Sequence, residues 1–248
     1  MPDYPGAVPA GLADAYTIQD AALAQWPDRI AGWKIGRIAP PELQARYREE
    51  RLAGPIFARA VYEAAPARVT DFPVFVGGFA AVEAEFVIRI AHDADPSQIH
   101  WSLEDAAAIA GEMFGGIETA GSPLKTINDL GPTVVISDFG NNAGLILGPD
   151  IADWRDRSFD ELACEAFVSG VRVGQGAASS VPGGPLPALR FLLEHCARRG
   201  RPLTAGQYVS TGAATGIHEI AAGETARVVF PGYGEIACRA VAAVPERA

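Results

Sequence analysis

A chain of 248 residues, 49% hydrophobic and 20% charged, has ample apolar material for a packed core and none of the hydrophobic depletion of a disordered polypeptide. Its formal net charge of −10 denies it the positive footprint that a nucleic acid or an anionic membrane surface demands. Pro2, Asp3 and Pro5 stand where a signal peptide would place a basic and then an apolar run, and no apolar stretch reaches the ~20 residues of a membrane span, so a cytoplasmic protein is expected.

Leu12, Ala15, Tyr16, Gln19, Leu23 and Trp26 recur near helical spacing and predict an amphipathic helix over residues 11–26, stopped by Pro27. Residues 30–37 follow as a short strand-like run with glycines on both sides of Lys34. A lysine in so apolar a segment is either an outward-facing strand residue or a cation held toward an anionic group. Pro40 and Pro41 then open a highly charged surface helix over residues 42–51, and Gly54-Pro55-Ile56-Phe57 reads as a loop or lid with an apolar tip. Residues 68–76 form a strand that leads through Gly77-Gly78 into a second strand, within the stretch 77–90, whose second half is rich in β-branched and aromatic residues.

That second strand carries Glu83 and Glu85. Residues two apart share a face, so both carboxylates project from one side, while Val82, Ala84 and Phe86 project from the other. Neighbouring like charges repel unless solvent, cations or a hard divalent metal such as Mg²⁺ or Mn²⁺ answers them. A solvated strand face is the plain reading. The apolar surroundings of the pair, and a third glutamate, Glu118, in the equally apolar Gly116-Ile117-Glu118-Thr119-Ala120, suggest a site instead.

Further along, Ser102-Leu103-Glu104-Asp105 has the spacing of a helix N-cap, with a helix over residues 106–113 ended by Gly115-Gly116 and Glu118 delivered on the next strand. Residues 132–138 read as a strand running into a polar loop over residues 139–144, either a simple turn or a place where amides orient a small polar substrate. A hairpin is expected around Ser169-Gly170, and the clearest helix spans residues 187–199. Strands follow over residues 207–211, 225–230 and 235–241. There is no β-α alternation, no Walker-type loop and no G-x-G-x-x-G, which argues against a nucleotide-binding α/β fold. Cys164, Cys196 and Cys238 form no C-x-x-C arrangement and read as reduced core or near-surface thiols, and the four histidines show no zinc-ligand spacing.

The quoted glutamates belong to a longer series of short motifs: residues 15–19 in the first helix, Gly32-Trp33-Lys34-Ile35-Gly36, Val82-Glu83-Ala84-Glu85, Ile117-Glu118, Ser137-Asp138 with Asn142-Ala143, Gly183-Gly184-Pro185-Leu186, Arg199-Gly200-Arg201-Pro202-Leu203, and Ser210-Thr211-Gly212. In this order and spacing they resemble the 2-keto-4-pentenoate hydratase and 2-oxo-3-hexenedioate decarboxylase family, within the fumarylacetoacetate hydrolase superfamily. The resemblance implies an α+β, β-rich fold, a mixed β-sandwich roll of the fumarylacetoacetate hydrolase C-terminal-domain type with a few flanking helices. It also implies one catalytic domain over residues 1–248, with a helical N-terminal portion (1–66) and a β-rich metal-binding core (67–248). The family's Mg²⁺ or Mn²⁺ ligands fall on Glu83, Glu85 and Glu118, and its active-site lysine on Lys34. Substrate contacts are expected from Lys34, Phe57, Ser137, Asp138, Asn142 and Thr211.

The implied reaction is water addition to 2-hydroxypenta-2,4-dienoate, giving 4-hydroxy-2-oxopentanoate, in aromatic catabolism. The implied partners are that small acid and further copies of the chain, with association to a pathway decarboxylase. Two departures bear on proton transfer. The family's D-F-G-x-L-F-x-D-M-like loop is here Leu52-Ala53-Gly54-Pro55-Ile56-Phe57-Ala58-Arg59, without carboxylates, and its D-N-A is Asn141-Asn142-Ala143. His218 is a candidate substitute acid or base, or else a hydrogen-bonded structural histidine. The alternatives are a decarboxylase, for which Arg37 or Arg59 would anchor a second carboxylate, an acylpyruvate-type carbon–carbon hydrolase, and a non-catalytic partner subunit.

Overall fold

Successive runs of β-branched and aromatic residues make strand the commonest regular element of this chain. The computed structural model describes residue 1 and residues 3–244. In chain order it contains α1 (Leu12–Leu23), β1 (Ile30–Arg37), α2 (Pro41–Tyr47), β2 (Arg51–Phe57), β3 (Val61–Glu63), β4 (Val69–Val74), β5 (Phe79–Ile90), α3 (Leu103–Ile109), β6 (Ala110–Ser122) and α4 (Pro132–Ser137). There follow β7 (Asn142–Asp150), β8 (Ala163–Val168), β9 (Val171–Ala177), α5 (Pro185–Arg198), β10 (Tyr208–Ala213), β11 (His218–Glu219), β12 (Thr225–Phe230) and β13 (Gly234–Ala242). Among the described residues no helix is long and apolar enough to cross a membrane.

The strands form two sheets. One has the order β2-β1-β10-β5-β6-β7-β3, with β11 added beside β5; the other has the order β4-β13-β12-β8-β9. The main core lies between them. Val82, Ala84, Phe86 and Ile88 of β5 meet Val228, Phe230 and Ile236 of the second sheet, and the Phe86 and Phe230 rings pack edge to face at 5.7 Å. Gly115 makes this approach possible, because a Cβ there would lie 2.6 Å from the Phe230 ring.

On the other face of β5, Val87 packs with Ile56 of β2 and with Leu145 and Leu147 of β7. Strands from opposite ends of the larger sheet therefore meet, and that sheet curls over its own carboxylate-bearing face. The result is a strand-rich α+β roll.

Several sequence expectations are corrected here. Residues 132–138 form helix α4, not a strand. Gly131, at φ 91°, and Pro132 at the first turn start it, and its apolar residues are buried in two clusters, so packing overrides their strand preference. Gly54-Pro55-Ile56-Phe57 is no lid but part of β2, paired antiparallel with β1 (Trp33 with Pro55, Lys34 with Gly54). Its place at the sheet edge tolerates the proline's missing donor.

The charged helix ends at Tyr47, where Arg48 turns to φ 53°, so Arg51 already lies in β2. α3 does begin on a Ser102–Asp105 capping box, but it stops at Ile109. Residues 110–113 and both expected terminating glycines are strand. Residues 1–66 are not a helical portion either, since β1, β2 and β3 all belong to the larger sheet. The three cysteines are free and buried.

Candidate functional site

The curled face of the larger sheet gathers the charged residues. Glu83 of β5 stands directly opposite Glu118 of β6, and Glu85 lies two residues further on the same face. One carboxylate oxygen from each of the three lies within 4.8 Å of the others, and all three residues are buried. Across β10, Lys34 of β1 aligns with Ser210. Its Nζ stands 3.2 Å from Glu118 Oε1. Asn142 Nδ2 donates to the same Glu118 oxygen at 3.1 Å.

Glu85 is held from β10. Its Oε2 accepts hydrogen bonds from Ser210 Oγ at 2.5 Å and from the Gly212 amide at 2.9 Å, where a register shift between Ser210 and Ala213 bends that strand toward the carboxylate. Glu85 Oε1 and Glu118 Oε2 are buried with no hydrogen-bond partner. These residues lie against a cleft of about 680 Å³ whose wall includes Lys34, Glu83, Asn141 and Thr211.

Burial, then the Glu118 charge, pushes the Glu83 carboxyl up to about 8. The Glu85 carboxyl is raised well above the usual carboxylate range by burial and by Glu118 and Glu83, against the Ser210 and Gly212 hydrogen bonds. Burial alone would lower the Lys34 ammonium, yet Glu118, Glu83 and Glu85 more than offset it and hold the lysine charged. One cation therefore faces three carboxylates, two of which keep an unanswered buried oxygen. Such an all-oxygen, electron-rich donor set fits a hard divalent cation such as Mg²⁺ or Mn²⁺.

No protein-family model matches the chain. Curated relatives do. The chain is 25% identical over 243 residues to 4-oxalocrotonate decarboxylase of Pseudomonas putida, covering 96% of this chain and 88% of that protein. It is 28% identical over 155 residues to the TodF product hydratase of Pseudomonas putida, covering 62% of this chain and 57% of that one. Both relatives support the resemblance to the 2-keto-4-pentenoate hydratase and 2-oxo-3-hexenedioate decarboxylase family. Its fold matches a solved 4-oxalocrotonate decarboxylase from Pseudomonas putida G7, complexed with magnesium and adipate, at a TM-score of 0.76 and 22% identity over 93% of this chain and 86% of the other.

Not every position expected from the hydratase and decarboxylase family reaches the cleft. Thr211 lines it, although its Oγ1 donates to the Phe86 carbonyl at 2.7 Å. Asn142 acts on Glu118. Phe57 is instead buried against Trp26 and Phe139, with ring centroids 5.1 Å apart in each pair. Ser137 Oγ donates to the Val134 carbonyl at 2.9 Å and meets Tyr4 Oη at 3.0 Å. Asp138 accepts from Ser122 Oγ at 2.6 Å. Phe57, Ser137 and Asp138 are absent from the cleft wall and support the segments behind it.

His218 is corrected as a candidate acid or base. It pairs in register with Val82, so it shares the face opposite Glu83 and Glu85, and it hydrogen-bonds Thr215 Oγ1 at 3.1 Å. Arg37 lines the cleft and Arg59 does not. Three further participants were given no role from the sequence, Ser210 and Gly212, which hold Glu85, and Arg51 in the cleft wall, while Asn141, from the polar loop whose amides were one of two readings, also lines the cleft. Ser210-Thr211-Gly212 and the Asn-rich loop were signals for all but Arg51, whose helical charge pattern pointed to the surface.

Proposed function

We propose that this protein is a Mg²⁺- or Mn²⁺-dependent lyase that processes a short 2-oxo or 2-hydroxydienoate acid through its enolate. The observation that carries the reading is the buried constellation of Glu83, Glu85, Glu118 and Lys34 on one curled sheet face beside an open cleft. Glu83, Glu85 and Glu118 would hold the metal. A bound divalent ion stabilises negative charge that develops on the substrate's C2 oxygen.

Lys34, kept charged by its carboxylate neighbours and oriented by Glu118, offers the substrate's carboxylate a counter-ion and the reacting carbon a proton. Ser210 and Gly212 fix Glu85, and Asn142 fixes Glu118, so these two carboxylates are positioned before any ligand arrives. The reaction placed first is hydration of 2-hydroxypenta-2,4-dienoate. The C2 hydroxyl loses its proton and a proton is added at C5 to give the conjugated ketone, then water adds its hydroxyl at C4 and its proton at C3 to give 4-hydroxy-2-oxopentanoate.

A second reading, decarboxylation of a 2-oxohex-3-enedioate-type acid, is favoured by Arg37 and Arg51 in the cleft wall. Either guanidinium would anchor a second carboxylate. A purely scaffolding role would leave the buried cation and carboxylates without a purpose.

The test is turnover of both acids, freshly generated and followed by ultraviolet absorbance and CO₂ release, with Mg²⁺, with Mn²⁺ and with chelator, in wild type and Glu83→Gln. Metal-dependent loss of the dienol without CO₂ supports hydration, and CO₂ release supports decarboxylation. Turnover indifferent to chelator and to Glu83→Gln would sink the metal-dependent reading itself.

A further inference from the structure

The cleft wall contains a polar group to which the catalytic constellation gives no task. Asn141 is only 4% exposed and sits in the left-handed region at φ 62°, lining the same cleft as Lys34 and Glu83. Its backbone N–H donates to the Asp138 carbonyl at 2.8 Å. Its side-chain Nδ2 points to Asn128 Oδ1 at 3.4 Å. Its Oδ1 is buried with no donor among the described residues.

The loop that carries it has little freedom. Gly140 before it lies with its Cβ direction 2.9 Å from Gly54 Cα and 3.4 Å from Lys34 Cδ. A buried carbonyl acceptor without a partner is costly, and a donor that reaches it recovers that cost. A neutral amide oxygen takes a hydroxyl hydrogen and repels a carboxylate, which brings only acceptors.

We propose that Asn141 is a specificity-determining positioning residue whose Oδ1 accepts a hydrogen bond from a hydroxyl group on the substrate or product chain. The inference rests on the 2-oxo-acid reading above and narrows it. The site selects 2-oxo acids that carry or acquire a hydroxyl beyond C2, as the product of hydration does, over acids with a hydrogen or a carboxylate at that place. Hydroxyl recognition by a site acceptor is strongly discriminating, because the analogue lacking the group leaves the acceptor unpaired.

Calorimetric binding of 4-hydroxy-2-oxopentanoate and of 2-oxopentanoate to the Mg²⁺-loaded protein tests this. Wild type should prefer the hydroxylated acid by about tenfold, the ratio that one hydrogen bond of ordinary strength supplies. Asn141→Gly, which keeps the positive φ without strain, should bring the ratio of the two affinities close to one. Asn141→Asp, which keeps an acceptor and tolerates the same backbone, should retain a preference.

An equal affinity of wild type for both acids overturns the proposal while leaving the 2-oxo-acid reading intact. So does a ratio that survives in Asn141→Gly. Failure of wild type to bind either acid overturns both. The wild-type comparison is decisive even where a variant does not fold.

Discussion

Lys34 Nζ lies 3.2 Å from Glu118 Oε1, with the two side chains 6% and 0% exposed. A pair so far from water is stable only because each partner answers the other, and here Glu83 and Glu85 add to the demand for the cation. Substituting Lys34→Met should therefore destabilise the metal-free protein by about 3 kcal/mol, the scale on which breaking a buried ion pair operates. Added Mg²⁺ should recover part of that loss. Turnover should fall by about 10³-fold if Lys34 moves the proton. Urea denaturation with and without Mg²⁺, alongside steady-state kinetics, measures all three.

Glu83→Gln should act differently. It removes one of three mutually repelling carboxylates, so the metal-free protein should lose no stability. The gain from Mg²⁺ should vanish, whereas wild type gains about 2.7 kcal/mol when the metal stands at about 100 times its Kd. Thermal melts across a Mg²⁺ titration read the difference, and equal shifts in both proteins would remove Glu83 from the ligand set.

Gly54→Ala probes the support behind Lys34. A Cβ at Gly54 would lie 2.6 Å from the Phe139 carbonyl carbon and 2.8 Å from Gly140 Cα. Backbone has to move, and the loop holding Asn141 moves with it. The expected cost is about 2 kcal/mol, as for overpacking elsewhere, with more than tenfold loss of kcat/KM; an unchanged denaturation midpoint would contradict the tight contact.

His195 should give the fold a pH dependence unconnected with the cleft. The ring packs against Tyr16 at 4.5 Å and stacks on Phe191 at 5.4 Å, and burial followed by Arg199 pushes it down to about 3. Below its ordinary value near 6.5 the unfolded chain takes up a proton that the folded chain refuses. Stability is thus fully present above about 6.5 and is lost as pH falls toward 3. The slope of denaturation midpoint against pH between 6.5 and 4 should flatten in His195→Gln.

His218 faces away from the glutamates, so His218→Gln should leave kcat within about twofold of wild type. A loss of hundredfold or more would mean that the histidine reaches the reacting atoms after all.

How far the residues themselves foretold these features varies with the range of the interaction. The alternation in β5 places Glu83 and Glu85 together and Val82, Ala84 and Phe86 apart from them, because a strand's period of two is local. The hairpin turn at Ser169 and Gly170, both at positive φ, and the capping box at Ser102 and Asp105 are equally local, and the sequence determined them. Residues 132–137 are the counterexample. Their β-branched run reads as strand, and burial around α4 makes it helix, since propensity yields to packing that no local pattern records.

The same limit governs the site. Which carboxylates share a face was in the sequence by itself. That Glu83 stands opposite Glu118, that Lys34 arrives across β10, that Asn141 is left with an unpaired oxygen, and that His218 turns to the far side were decided by tertiary structure alone. Strand register and sheet curl set those distances, and both come from contacts between residues remote in the chain.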